Sequence, residues 1–349
     1  TMKKSVKCII AGGIIAIAGA GLFATTLAYG ATGYSSRFLT IGFDRDDREF
    51  EIGLHDDDYD DWYHRDNAES SYINWDFSQY ASSETSPNVE SSASVPDDNV
   101  ASSAPANPSD LSAADIQSLL IDVNSAAVSV RLGTSFDIES RGVSDLSWSH
   151  DQSNGTVRID SDEKVERFDD DSRWVRITIP RDAVLTSFGA QIERGELDLH
   201  NLSVQDLAAY LGSGDIDIEY ADVVNAALET GTGDIGFENG TADNLSMIIG
   251  AGEGDLETST VGSLSAMIGA GDFDGSGTLQ NFSVITGVGD IEMSVNGSAS
   301  DYYVALETGL GTIQTPSGTS RGSTTLGSEG AVYTGTVQTG TGAIEFRFR

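Results

Sequence analysis

Gly212-Ser213-Gly214-Asp215-Ile216-Asp217-Ile218 returns nineteen residues later as Gly231-Thr232-Gly233-Asp234-Ile235-Gly236-Phe237, and the series runs on through Gly287-Val288-Gly289-Asp290-Ile291. Anchored on its second glycine, or on the lone glycine of the first copy, the motif falls at Gly195, Gly214, Gly233, Gly252, Gly271, Gly289, Gly311 and Gly342. The spacings are 19, 19, 19, 19, 18, 22 and 31 residues. A fixed period near 20 residues marks a solenoid, in which each repeat buries its apolar side against the next. One unit reads as an alternating strand such as Asp215-Ile216-Asp217-Ile218, a polar turn, and a second strand such as Leu245-Ser246-Met247-Ile248-Ile249. Gly-x-Gly then turns the chain into the next coil. Two strands of about five residues and two turns fill such a period. Glycine suits the corner because it accepts positive φ and close backbone approach.

Period two assigns the inward side chains. One column runs Leu197, Ile216, Ile235, Phe273, Ile291, Ile313, Ile344, and the next Leu199, Ile218, Phe237, Leu256, Met293, Phe346. The opposing strands supply Leu228, Met247, Val284, Leu306 and Val337. Gly254 and Gly275 interrupt the columns and predict bulged or thinly packed coils. The longer final spacings predict insertions, with Ser317–Gly330 looping out. Upstream, Leu119–Val123, Ala127–Leu132, Thr156–Ile159 and Val175–Ile179 also alternate. They predict strands that extend or cap one end of the stack, which keeps its edge from aggregating. Trp148 and Trp174 lie in or beside these strands and are read as packing residues.

The rest of the 349 residues differs in kind. Lys3, Lys4 and Lys7 precede Cys8–Gly30, 23 residues without a charge. That length spans a bilayer core, which needs about 20 apolar residues, and the lysines place the N-terminus in the cytoplasm. The expectation is a single-pass cell-membrane anchor with the bulk of the chain extracellular. The alternative is a secreted chain after signal cleavage near Ala28-Tyr29-Gly30. Residues 34–80 mix acids with Phe50, Tyr59, Trp62 and Tyr63 and predict an acidic, disordered spacer. Short strands are expected at Phe38–Ile41 and Phe50–Ile52. Residues 81–112 form a Ser/Pro-rich linker holding four of the six prolines. The predicted organisation is therefore residues 1–33 as membrane anchor or signal segment, 34–80 as spacer, 81–112 as linker and 113–349 as the repeat domain. The fold class is all-β, a β-solenoid of coils of about 19 residues with two strands per coil.

Charge limits the partners. With 55 Asp and Glu against 19 Lys and Arg the chain carries −36, so nucleic acid is excluded as a partner. One cysteine excludes a disulfide framework and a cysteine zinc site. The chemistry left to weigh lies in the acidic ladders. Directly after the anchor glycine stand Glu196, Asp215, Asp234, Glu253, Asp272 and Asp290; two residues on stand Asp198, Asp217, Asp255, Asp274, Glu292 and Glu345. Stacked about 5 Å apart, neighbouring carboxylates repel by about 0.8 kcal/mol in water. Calcium, which prefers several oxygen ligands, would relieve that repulsion. Asp215, Asp217, Asp234, Asp272, Asp274 and Asp290 are therefore the candidate metal ligands, against a plain solvated acidic face. No organic cofactor is implied. Gly231–Gly236 matches Gly-x-Gly-x-x-Gly, but a strand, not a helix, is expected after it, and Asp234 would repel phosphate. A glycan-cleaving β-helix would need paired carboxylates in a cleft, and His200 reads as a turn residue.

The serial motifs, with Leu119–Val123 and Val175–Pro180 ahead of them, resemble the bacterial putative-adhesin family with a repeated β-strand domain of unknown function. The resemblance covers residues 117–349. It implies an envelope-facing β-solenoid, mostly of Gram-positive bacteria, linked to adhesion or envelope stress, and it implies no catalytic residues. The expected function is a non-catalytic cell-surface module for adhesion or for envelope-stress sensing and scaffolding. Besides the membrane, its expected partners are an envelope or host-surface protein or glycan, or a cationic peptide. The alternatives are a calcium-stabilised surface module and a glycan-cleaving enzyme.

Overall fold

The computed structural model describes residues 38–41, 52–55, 107–165, 172–328 and 330–349. The expected anchor, most of the spacer and most of the linker lie outside these residues. Two strands stand in a unit of their own: β1 (Phe38–Ile41) pairs antiparallel with β2 (Ile52–His55). The second strand thus begins where Phe50–Ile52 was expected to end.

The repeat domain is all-β among its described residues, apart from three short 3₁₀ turns. Its first strands are β3 (Ser118–Gly133), β4 (Asp137–Arg141), β5 (Ser147–Asp151), β6 (Thr156–Ser161), β7 (Trp174–Pro180) and β8 (Leu185–His200). The regular coils follow: β9 (Ser203–Leu211), β10 (Ile216–Glu219), β11 (Asp222–Thr232), β12 (Ile235–Glu238), β13 (Thr241–Ala251), β14 (Gly254–Ala270), β15 (Phe273–Val288) and β16 (Ile291–Val295). The chain finishes with β17 (Tyr302–Leu310), β18 (Ile313–Thr315), β19 (Gly318–Ser320), β20 (Ser323–Gly327), β21 (Tyr333–Thr341) and β22 (Ile344–Phe348).

Strands one period apart pair parallel and in register. Leu197, Ile216, Ile235, Gly254, Phe273, Ile291 and Ile344 align, as do Ala209, Leu228, Met247, Ala266, Val284, Val337 and Leu306. Every inward side chain named from the sequence is fully buried. Parallel pairing with one coil per layer follows from the repeat: near-identical coils present matching ladders and matching apolar columns to each other.

The corners explain the glycines. Gly214, Gly233, Gly252, Gly271, Gly289 and Gly342 all have φ between +131° and +155°. A Cβ on any of them would come within 2.2 Å of the carbonyl oxygen of the corner glycine one layer away. Buried threonines answer some of the corner carbonyls: Thr230 donates to the Gly214 oxygen at 3.0 Å and Thr339 to the Gly289 oxygen at 2.8 Å. At the opposite corner Asn201, Tyr220, Asn239 and Thr258 take φ of +50° to +58°. The single 18-residue period loses its residue there, where Glu257-Thr258-Ser259 faces only Ser276-Gly277.

The coils of Gly254 and Gly275 do carry an irregularity, the register shift between Leu256 and Ser259, but the two glycines do not thin the core. A Cβ on Gly254 would meet the Phe273 ring at 3.0 Å, and one on Gly275 would meet it at 2.7 Å. The ring of Phe273 fills the space that both glycines leave, so the interruption in the columns is a large residue flanked by small ones.

The ends depart from serial order. β21 lies between β15 and β17, and β22 between β16 and β18, so the coil of Gly342 is slotted inside that of Gly311. At the other end β3 lies between β8 and the β6–β7 layer. Both outermost coils are then closed by antiparallel strands: β5 on β6 and β4 on β7, β20 on β17 and β19 on β18. The segment expected to loop out at Ser317–Gly330 thus supplies β19 and β20. An aromatic cluster holds the C-terminal slot. Phe282 stacks on Phe346 at 6.0 Å, and Tyr302 packs on Tyr333 and Phe348 at 5.3 Å each. Trp148 packs against the core and Trp174 lies under the Arg176 guanidinium at 4.9 Å, both within the N-terminal layers.

Candidate functional site

The acidic ladders occupy one side of the coil, on the strands that follow each corner glycine. They divide into columns with different work. In the first, the side chain of the residue after the glycine reaches the next layer. Asp215 Oδ1 accepts the Asp234 N–H at 2.9 Å, and Asp234 Oδ1 accepts the Glu253 N–H at 2.7 Å. Asp272 Oδ1 accepts the Asp290 N–H, and Asp290 Oδ1 accepts the Ala343 N–H, both at 2.7 Å. Each is a charge-assisted bond that ties a corner to its neighbour. The preference for Asp over Glu directly after the glycine is the sequence signal for this role, because the shorter arm fits one layer of reach.

The second column stands two residues on and points outward. Asp198 lies in register with Asp217, then Gly236, Asp255, Asp274, Glu292 and Glu345. Burial and then the Asp198 charge push Asp217 up to about 6. Burial and then the Asp274 charge push Asp255 up to about 6 as well. Asp198 and Asp274 also lie above the usual carboxylate range, again with burial as the leading cause. Gly236 divides the column into a pair and a run of four. A third column begins with His200, whose Nδ1 lies 3.2 Å from the Glu219 carboxylate, and continues through Glu238 and Glu257. His200 is the last residue of β8, not a turn residue; the turn is made by Asn201.

Between Gly195 and Ser320 the chain has 20 acidic residues and neither Lys nor Arg. Cations return at the C-terminal end, where Arg347 bonds both Glu292 and Glu345.

The six aspartates expected to bind calcium are therefore split. Asp215, Asp234, Asp272 and Asp290 accept backbone amides, while Asp217 and Asp274 lie in the outward column on opposite sides of Gly236. Calcium takes six to eight oxygens at about 2.3–2.6 Å. A column offers one carboxylate per layer of about 4.8 Å. Among the described residues no group of three or more His, Cys, Asp or Glu is arranged to hold a metal ion. The residues present do not fit a calcium cage. The Gly231–Gly236 motif is followed by strand β12, without the helix a dinucleotide site needs. A shallow groove between β17, β20 and β21 is lined by Glu307, Gln338, Ser323, Thr324 and Thr325, and so carries one carboxylate.

No curated protein matches the chain. Among solved structures, it is similar to a protein described as a putative adhesin from Bacteroides fragilis NCTC 9343. The identity is 16%, over 66% of this chain and 91% of that one, with a TM-score of 0.43. It is also similar to a putative cell adhesion protein from Clostridium sporogenes ATCC 15579. There the identity is 10%, over 68% of this chain and 96% of that one, with a TM-score of 0.21. Residues 116–346 match the family model described as Toastrack DUF4097. With about two thirds of its length inside that model, the chain belongs to the Toastrack DUF4097 family.

Proposed function

We propose that this chain is a non-catalytic surface module of a bacterial envelope, acting in adhesion or in envelope-stress sensing and scaffolding, and that its outward carboxylate face receives a cationic partner. Residues 8–30 hold it in the membrane, and the spacer and linker carry the repeat domain outward. The observation that carries the reading is the outward column itself. Its carboxylates are held in register by parallel pairing and, among the described residues, are ion-paired to no Lys or Arg until Arg347. A row of like charges at fixed spacing raises the local concentration of counter-ions and favours a partner with repeated positive charges.

The probe is an oligo-lysine peptide, titrated against the whole chain in detergent. Binding is expected to weaken steeply when salt rises from about 0.1 M to about 1 M, as the screening length falls from about 10 Å to about 3 Å. The variant with Asp198, Asp217, Asp255 and Asp274 all changed to Asn is expected to bind at least about tenfold more weakly, a loss of about 1.4 kcal/mol. Equal binding by that variant, or none by the native chain, removes the reading.

A further inference from the structure

We propose that two copies of this chain join end to end through antiparallel pairing of β20 with β20 of the second copy. Of the strands that close the stack, β20 is the one built to be paired again. The one register it forms among the described strands is with β17, which leaves its other edge open. Open edges are normally blunted with charge or proline. At the N-terminal end they are: β4 carries Asp137, Glu139 and Arg141, and β5 carries Asp151. β19 has only three residues. β20 reads Ser-Thr-Thr-Leu-Gly, five residues without charge or proline.

Register shows which backbone groups are free. Thr324 faces Leu306 and Leu326 faces Val304. The strand is bracketed by the bond from Thr308 N–H to Gly322 O at 2.7 Å and the bond from Ser328 N–H to Tyr302 O at 3.0 Å. Bonded and non-bonded positions alternate in an antiparallel pair. Even-numbered residues therefore direct N–H and C=O toward β17, and Ser323 and Thr325 direct theirs to the open edge. A two-fold axis through Thr325 sets Thr325 against itself as a doubly bonded pair and Ser323 against Gly327. A strand that pairs with its own copy closes the assembly at two chains.

The electrostatics select a second copy as the occupant. At a net charge of −36 two chains repel over most of their surface. At this end the outward acid column stops: Glu292 and Glu345 are bonded to Arg347, and the next residue in register is Gln314. Leu310, 72% exposed in the outermost coil, and Val332, 79% exposed beside β21, add apolar surface at the same end. A five-residue strand pair is a small interface, so association in the micromolar range is expected.

The test is sedimentation velocity on the whole chain in density-matched detergent, up to roughly 100 μM, where a micromolar pair is formed. The native chain is expected to sediment as two chains. Thr325→Pro, which removes the central free N–H, and Thr325→Lys, which sets two ammonium groups face to face, are each expected to weaken pairing at least about tenfold. Circular dichroism melting of both variants verifies the fold. Ser140→Lys on β4 is expected to change nothing. A monomeric native chain, an unaltered dimer of folded Thr325→Lys, or equal loss from Ser140→Lys would each overturn the proposal.

Discussion

Gly252→Ala tests the corner argument most directly. Gly252 has φ +149°, which costs an L residue about 1–3 kcal/mol. Its Cβ would stand 2.0 Å from the Gly233 carbonyl oxygen, 2.7 Å from its carbon and 2.9 Å from Asp234 Oδ1, where ordinary contact begins near 3.4 Å. The layers would have to part by more than an ångström. That stretches the Ile235 N–H bond to Glu253 O, now 3.0 Å, and the Glu253 N–H bond to Asp234 Oδ1, now 2.7 Å. Each is worth about 1 kcal/mol, more where the acceptor is charged. The expected total is about 3–5 kcal/mol, a fall in Tm of roughly 10 °C. Gly318→Ala is the control, because Gly318 has φ +132° but nothing within 4 Å of its Cβ. It isolates the backbone strain. Urea unfolding of both variants, followed by far-UV circular dichroism, reads the difference. If Gly252→Ala costs no more than Gly318→Ala within about 0.5 kcal/mol, close stacking of the corners is not what requires glycine.

Phe273→Ala is expected to cost about 3–5 kcal/mol. Gly275→Ala should cost about 1–3 kcal/mol in the native background but little beside Phe273→Leu, and a double-mutant cycle in urea measures that coupling. Thr258 is exposed and β-branched at φ +50°, so Thr258→Gly is expected to raise stability by about 1 kcal/mol, seen as a higher urea midpoint. The outward column sets a pH dependence. Asp217 and Asp255 titrate near 6 in the fold against about 3.9 in the unfolded chain, so the fold binds more protons between those values. Stability should then rise as pH falls from 7 toward 5. It should fall again below about 4, where Asp115 and Asp151, held below the usual range by bonds from Ser112 and Ser153, lose their ionised form. Melting scans across pH check this, and Asp217→Asn should flatten the upper limb.

The sequence by itself determined the period, the two-strand coil, the inward columns and the corner glycines. These are local: alternation fixes which side chains turn inward, and the recurring Gly-x-Gly fixes where the chain bends. It also placed the acids on one outward side, because their offset from the glycine is constant. The order of the coils was not legible. Coils of nearly the same sequence fit on one another in any succession, so the repeat cannot say that Gly342, and not Gly311, is the corner that follows Gly289 in the stack. That choice rests on contacts distant in sequence: Phe282 on Phe346, Tyr302 on Phe348, and an end that must be closed by β19 and β20. The division of labour among the aspartates was hidden for a related reason. Asp215 and Asp217 look alike in a string, and only the stacking of the next layer puts an amide within reach of one and a second carboxylate beside the other.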